Sequence, residues 1–129
     1  VDNISRNKRF KLNYVLQYYT IPFNISIQLR IKKNEQLPSI TKLYNAANWL
    51  EREIWDMFGI YFNNHPDLRR ILSDYGFEGY PLRKDFPLTG YLEAKYNYDT
   101  KRIILQPVKF IQEFRYFDFL SPWSDNSDI

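Results

Sequence analysis

Phe10-Lys-Leu-Asn-Tyr-Val-Leu-Gln-Tyr-Tyr19 and, after Thr20-Ile-Pro22, Phe23-Asn-Ile-Ser-Ile-Gln-Leu-Arg-Ile-Lys-Lys33 decide the fold class. In the first run Phe10, Leu12, Tyr14, Leu16 and Tyr18 alternate with Lys11, Asn13, Val15, Gln17 and Tyr19. A period of two places one set of side chains on each face of a half-buried strand. Pro22 interrupts the pattern because it has no N–H to give a ladder. In the second run Phe23, Ile25, Ile27, Leu29 and Ile31 oppose Asn24, Ser26, Gln28 and Arg30. Two such strands in series predict an antiparallel pair with one wet face.

Working outward, Asn34-Glu-Gln-Leu-Pro38 reads as a turn and Ser39 as the N-cap of a helix. Lys42 stands where a capping box places Glu or Gln, so the start signal is partial. Leu43, Ala47, Leu50, Ile54 and Met57/Phe58 recur at helical spacing, and Gly59 suits the left-handed residue that ends a helix. These signals predict a helix over about 40–58 whose apolar stripe lies on the sheet. Pro66 fits the first position of a short helical turn over 65–72. Asp74-Tyr-Gly-Phe-Glu-Gly79 is turn-rich, and 101–112 has the character of one more strand interrupted by Pro107. The expected fold is α+β: a small, mainly antiparallel sheet, one main covering helix (about 40–58), and a long extended C-terminal tail. The expected division is a core over 1–84 and an extended segment over 85–129.

The 129 residues suit one domain with a tail. No cysteine is present, which excludes a disulfide, a thiolate zinc site and a cysteine-held iron–sulfur cluster within this chain. One His and one Met leave few other metal ligands. A net charge of +3 is weak support for a polyanion partner. No apolar run reaches the roughly 18–20 residues that cross a bilayer. Val1–Arg9 is polar, contains an acid and has no apolar core, unlike a signal peptide. The chain does not start with Met, so it is expected to be processed, trimmed or the ordered part of something longer. Residue types with AT-rich codons (Phe, Tyr, Met, Ile, Asn, Lys) far outnumber those with GC-rich codons (Gly, Ala, Arg, Pro), which hints at an organellar or otherwise AT-rich gene.

Aromatic residues make up 19% of the chain, and many fall in its last third. Phe86, Tyr91, Tyr96, Tyr98, Phe110, Phe114, Tyr116, Phe117, Phe119 and Trp123 lie in a segment with little periodicity. Disordered tails are poor in aromatics, and free rings in such number invite aggregation. The segment therefore wraps its own sheet or lies on another protein, and the small sheet favours the second.

The charged motifs concentrate between Trp49 and Pro87. On the helix, Arg52 and Asp56 stand four apart and can pair across one turn, while Glu53 sits beside the apolar stripe and needs an arginine partner or a raised pKa. Glu51 and Glu53 as an acid–base pair is the catalytic alternative, with no second reactive group at a telling spacing. His65 with Asp67 is half of a triad or of a metal site at most, since no Gly-x-Ser-x-Gly elbow and no further His accompany it. Its simpler role is a loop histidine hydrogen-bonded at a helix start. Between His65 and Asp85, Arg69, Arg70, Arg83 and Lys84 are matched by Asp67, Asp74, Glu78 and Asp85. A nucleic-acid face keeps a surplus of positive charge, whereas a balanced set suggests arginine–carboxylate forks that fix a loop or an interface.

The run Ala47-Asn-Trp-Leu-Glu-Arg-Glu-Ile-Trp-Asp-Met-Phe-Gly-Ile60, then His65-Pro-Asp-Leu-Arg-Arg-Ile-Leu-Ser-Asp-Tyr-Gly-Phe-Glu-Gly79 and Pro81-Leu-Arg-Lys-Asp-Phe-Pro-Leu-Thr-Gly90, closely resembles the 30 kDa subunit family of respiratory complex I. The likeness continues through Gln112-Glu-Phe-Arg-Tyr-Phe-Asp-Phe119 and Ser121-Pro-Trp123 in the manner of the mitochondrial form, subunit 9, and covers about 10–123. The resemblance implies a non-catalytic structural subunit of the peripheral arm of a proton-pumping NADH:ubiquinone oxidoreductase. It implies no cofactor on this chain, with FMN and iron–sulfur clusters in other subunits. The implied partners are peripheral-arm subunits, above all the 49 kDa and iron–sulfur subunits, with no nucleic acid and no direct membrane span. The implied location is peripheral to the mitochondrial inner membrane on the matrix side. Trp49, Glu51, Arg52, Glu53, Asp56, His65, Asp67, Arg69, Arg70, Arg83, Lys84, Asp85, Arg115 and Trp123 are then expected to be structural and interface positions rather than catalytic ones. Members of that family carry further sequence before the first strand, so the 1–84 core is expected to be incomplete at its N-terminal side relative to them. The alternatives are a stand-alone enzyme using Glu51, Glu53 and His65, and an RNA-binding module.

Overall fold

A computed structural model describes residues 1–117. The described chain is a small α+β protein in the order β1 (Phe10–Tyr18), β2 (Phe23–Ile31), β3 (Leu37–Pro38), α1 (Ala47–Phe58), β4 (Phe62–Asn63), β5 (Leu92–Asn97) and β6 (Arg102–Pro107). It divides into a first compact unit, Val1–Phe86, and a second that begins at Pro87.

In the first unit β1 and β2 pair antiparallel, with Phe10 opposite Ile31 and Tyr18 opposite Phe23. The alternating apolar residues therefore share one face, as their period of two requires. Phe10, Leu12 and Ile31 anchor the core at the end of the pair remote from its turn, with Leu37, Ile60 and Phe62. Tyr14, Ile54, Phe58 and Leu68 pack against that cluster. A short parallel bridge of β3 with β4 joins the segments that precede and follow α1.

The helix differs from expectation at its start. Residues 40–46 form turns, and α1 begins at Ala47 with Ala46 in helical geometry and no side-chain cap. Ser39 does not cap it; its hydroxyl donates to Glu51 instead. The apolar stripe is also only partly seated, since Ile54 and Phe58 meet the core while Leu43 and Leu50 are exposed. The C-terminal end agrees with the sequence. Gly59 adopts φ 70° and its N–H donates to the Trp55 carbonyl. A Cβ there would lie 2.6 Å from both the Arg83 guanidinium and the Tyr80 ring, so glycine is required for space as well as for backbone conformation.

The 65–72 stretch is not helical. Backbone N–H groups at its end are drawn to a carboxylate on α1, which competes with any local helical turn. In the second unit β5 and β6 form an antiparallel hairpin with Leu92 opposite Pro107 and Asn97 opposite Arg102. The sequence anticipates one strand in this region; the structure has two. Among the described residues no helix is long and apolar enough to cross a membrane.

Candidate interface site

The motif helix presents three carboxylates, and the structure sorts them differently from the sequence. Glu53 is exposed, so it needs no partner. Glu51 is 2% exposed and Asp56 fully buried. A carboxylate removed from water requires several donors to remain charged. Asp56 has them. Its Oδ2 accepts from the N–H groups of Leu72 at 2.7 Å, Ser73 at 2.8 Å and Ile71 at 3.2 Å. Its Oδ1 accepts from the Ser73 hydroxyl and from Arg70 Nη1 at 3.2 Å. Burial alone works to raise the Asp56 pKa, but the Ser73 hydroxyl and the three amides outweigh it and hold the acid below its ordinary value. The expected Arg52–Asp56 pair across one turn is absent among the described contacts. Arg52 Nε donates to the Arg69 carbonyl at 3.2 Å, because Asp56 points inward to the 70–73 loop.

Arg70 continues the lock. Its Nη2 donates to the Gly79 carbonyl at 2.9 Å, and its guanidinium lies 5.1 Å from the Tyr80 ring centre and 5.7 Å from that of Phe77. Glu51 works on the opposite flank of α1. The Ser39 hydroxyl donates to its Oε2 at 2.6 Å, and the Ile40 N–H donates to its Oε1 at 2.9 Å. His65 Nε2 lies 3.8 Å from Glu51 Oε2 and 3.2 Å from the Asn48 carbonyl, while Nδ1 accepts from the Asp67 N–H at 3.1 Å. That pattern makes Nε2 the donor to a carbonyl in the first turn of α1. His65 thus joins a loop to the helix start.

Among the described residues Arg83 forms no carboxylate fork. Its Nε donates to the Phe58 carbonyl at 2.6 Å, and its guanidinium lies between the rings of Tyr80 at 4.4 Å and Phe10 at 5.5 Å. Desolvation pulls its pKa down from the usual arginine value. A cation at the carbonyl end of α1 also complements the helix dipole. Asp2 and Asp85 form forks with a residue outside the motifs, Arg9. Arg9 holds Asp2 at 2.6 and 2.7 Å and Asp85 at 3.0 and 3.1 Å. The Lys84 N–H donates to Asp2 at 2.8 Å. Hydrogen bonds from Arg9 lower the pKa of both acids, and the same bonds raise that of Arg9 itself. Arg9 sits in a polar terminal run with no periodic signature; its pairing at a separation of 76 residues was invisible in the sequence.

The remaining candidates lie outside these locks. Asp67 and Arg69 pair at 3.0 Å on the exposed surface, an arrangement worth about 0–1 kcal/mol. Trp49 is exposed on α1. Arg115 lies 5.8 Å from the Phe117 ring centre. Trp123 lies outside the described residues. In the second unit the hairpin is two-faced. Leu92, Ala94 and Tyr96 share a face with Ile103, Leu105 and Pro107, and the other face carries Glu93, Lys95, Asn97, Arg102 and Gln106 with Ile104. Leu92, Tyr96, Ile103 and Leu105 are exposed. An isolated two-stranded hairpin is marginal in water unless its apolar face is covered. Among the described residues no group of three or more His, Cys, Asp or Glu side chains is placed to hold a metal ion.

Residues 1–92 match the family described as the respiratory-chain NADH dehydrogenase 30 kDa subunit. The chain is 52% identical over 128 residues to the NADH dehydrogenase [ubiquinone] iron-sulfur protein 3 of Arabidopsis thaliana, covering 99% of this chain and 67% of that protein. It is 52% identical over 130 residues to the protein of the same name from Solanum tuberosum, again covering 99% and 67%. It is 53% identical over 123 residues to the NADH-ubiquinone oxidoreductase subunit 9 of Acanthamoeba castellanii, covering 95% and 62%. The chain thus spans about two thirds of the length of these relatives. With helix α1, its buried acids and the Arg70 and Arg83 locks all inside the matched residues, the chain belongs to the family of the 30 kDa subunit of respiratory-chain NADH dehydrogenase.

Proposed function

We propose that this chain is a non-catalytic structural subunit of the peripheral arm of NADH:ubiquinone oxidoreductase, supporting electron transfer from NADH to ubiquinone. The observation that carries this reading is the use of the motif's charges. Glu51, Asp56, Arg70 and Arg83 are committed to backbone groups and rings of their own unit. A general acid or base has to reach substrate, whereas these groups brace loops against one helix. Their product is rigidity, which suits a subunit that keeps redox centres on its neighbours at fixed spacing.

The apolar face of the β5–β6 hairpin supports the second half of the proposal, docking on peripheral-arm partners, above all the 49 kDa and iron–sulfur subunits. Leucine, isoleucine and tyrosine side chains on a strand pair supply apolar anchors, and a few such anchors carry most of an interface's energy once covered. No cofactor is assigned to this chain; FMN and iron–sulfur clusters are assigned to other subunits. The location proposed is peripheral to the mitochondrial inner membrane, on the matrix side. The purified chain is expected to oxidise no NADH, reduce no quinone analogue and carry no flavin absorbance. Turnover by the isolated chain, abolished by Glu51→Gln, would instead establish a stand-alone enzyme.

A further inference from the structure

His65 is the single histidine of the chain, and its side chain is 0% exposed. A buried imidazole bonded through both nitrogens has its charge state set by those bonds. The Asp67 N–H points at Nδ1 from 3.1 Å, so Nδ1 offers a lone pair and the ring is neutral. Nε2 carries the one proton and donates it to the Asn48 carbonyl at 3.2 Å. A second proton has only Nδ1 to enter, where two N–H groups would then face each other. The ring becomes charged only after the Asp67 amide has left it.

A seat for the charged ring stands beside it. Glu51 Oε2 lies 3.8 Å from Nε2, beyond hydrogen-bond reach, and takes the Ser39 hydroxyl at 2.6 Å, while Oε1 takes the Ile40 N–H at 2.9 Å. An ionised carboxylate has lone pairs for more than those two donors. A shift of about 1 Å turns the approach into a charge-assisted hydrogen bond. The other charges around the ring are engaged elsewhere. Asp67 and Arg69 pair with each other on the surface, and Arg52 of α1 donates to the Arg69 carbonyl. Lys42, on the turn before α1, shares a cleft with Asn48, Asn64 and Pro66. Tyr14 of β1 also feels Glu51; burial first, and then that carboxylate, raise its pKa, so the phenol stays neutral.

The segment held by the ring starts from an unusual backbone. Asn64, between β4 and His65, has φ 61°, a left-handed conformation uncommon outside glycine. Asn64, Pro66, Asp67 and Arg69 are exposed, and Leu68 is the residue of this segment that packs on the core. The Asp67 bond to the ring is thus one of few restraints on a charged stretch of surface.

We propose that His65 is a proton-operated latch: neutral, it clamps the 64–69 segment to the first turn of α1; charged, it turns to Glu51 and releases the Asp67 amide, so that acid frees this segment while the core stays folded. The latch acts within the first unit and does not depend on a peripheral-arm role. The open form takes up a proton that the closed form excludes, so opening grows as pH falls, by at most about tenfold per pH unit for one proton. Histidines change charge over roughly pH 5–8. That window lies above the acid range in which Asp56 and Asp2 lose their stabilisation, so the two effects are separable.

The test is an NMR titration of the full chain from pH 8 to 5 that follows the His65 ring and the Asp67 amide, with exchange rates corrected for their intrinsic pH dependence. At pH 8 the ring nitrogens should show the neutral tautomer protonated at Nε2. On acidification the ring and the Asp67 amide should shift with a common midpoint. Exchange at Asp67 should rise about tenfold or more relative to the β1–β2 ladder. Glu51→Gln removes the seat and should move the common midpoint to lower pH. His65→Gln takes up no proton and should leave Asp67 unchanged over the range. If a variant fails to fold, as judged by protection of the β1–β2 ladder, the common midpoint in the unaltered chain decides. A ring that titrates while the Asp67 amide stays in place, an Asp67 change that persists in His65→Gln, or a ring still neutral at pH 5 would each overturn the latch.

Discussion

At the scale of single residues, Asp56 is the pin of the first unit. It ties α1 to a loop 14–17 residues away through five donors, so removing it takes the acceptor from three amides, one hydroxyl and one guanidinium. Asp56→Ala is expected to cost about 3–5 kcal/mol, as for breaking other buried pairs, measured by urea unfolding. A loss below about 1 kcal/mol would show that the loop finds other partners. Acid should act through the same residue. Asp56 and Asp2 have folded pKa values below the ordinary 3.8, so their stabilisation is present above the unfolded pKa and is lost as pH falls through the folded values. The thermal midpoint should therefore drop steeply below about pH 4, and Asp56→Asn should flatten part of that drop. A drop undiminished in Asp56→Asn would assign it elsewhere. Gly59→Ala combines a left-handed backbone with a 2.6 Å approach to Arg83 and Tyr80, and is expected to cost about 2 kcal/mol in the same unfolding measurement.

At the scale of elements, the hairpin of the second unit separates folding from docking. Ile103→Asp with Leu105→Asp places charge on its apolar face, remote in sequence from the Asp56 and Arg83 locks. The first unit should keep its unfolding midpoint, while capture of complex I partners should fall at least about tenfold, as for the loss of interface anchors. Unchanged capture would remove the hairpin from the interface. The same elements show what the sequence could tell. The β1–β2 pair was legible because apolar residues hold every second position over nine residues in each strand. The start of α1 was not, because the Ser39 hydroxyl goes to Glu51, a choice made by a residue twelve positions away. The hairpin lacked an Asn-Gly turn signal. Its turn is built from the Asn97 side chain accepting the Asp99 N–H and from Lys101 at φ 51°, and neither residue announces it.

At the scale of the whole molecule, the family was legible and the roles of its residues were less so. The charged, aromatic motif around Trp49–Gly59 carried the resemblance, and the match over residues 1–92 bears it out. What the sequence could not supply was the partner of each charge. The forks joining Arg9 to Asp2 and Asp85, and the contact of Arg70 with Asp56, span 7 to 76 residues and exist only once the chain is folded. Arg83 belongs to the same lesson. It stitches the end of α1 to the Phe10 ring, so Arg83→Ala should lower the stability of the first unit and, through it, the amount of assembled complex. The proposed role of the chain as a brace within a larger enzyme is tested most directly by native electrophoresis of gently solubilised membranes from its source, stained for NADH dehydrogenase activity and probed for this chain. The chain is expected to co-migrate with the activity band, and Arg83→Ala is expected to lower both together. A chain migrating alone at its own mass, with the activity band intact in its absence, would contradict that role.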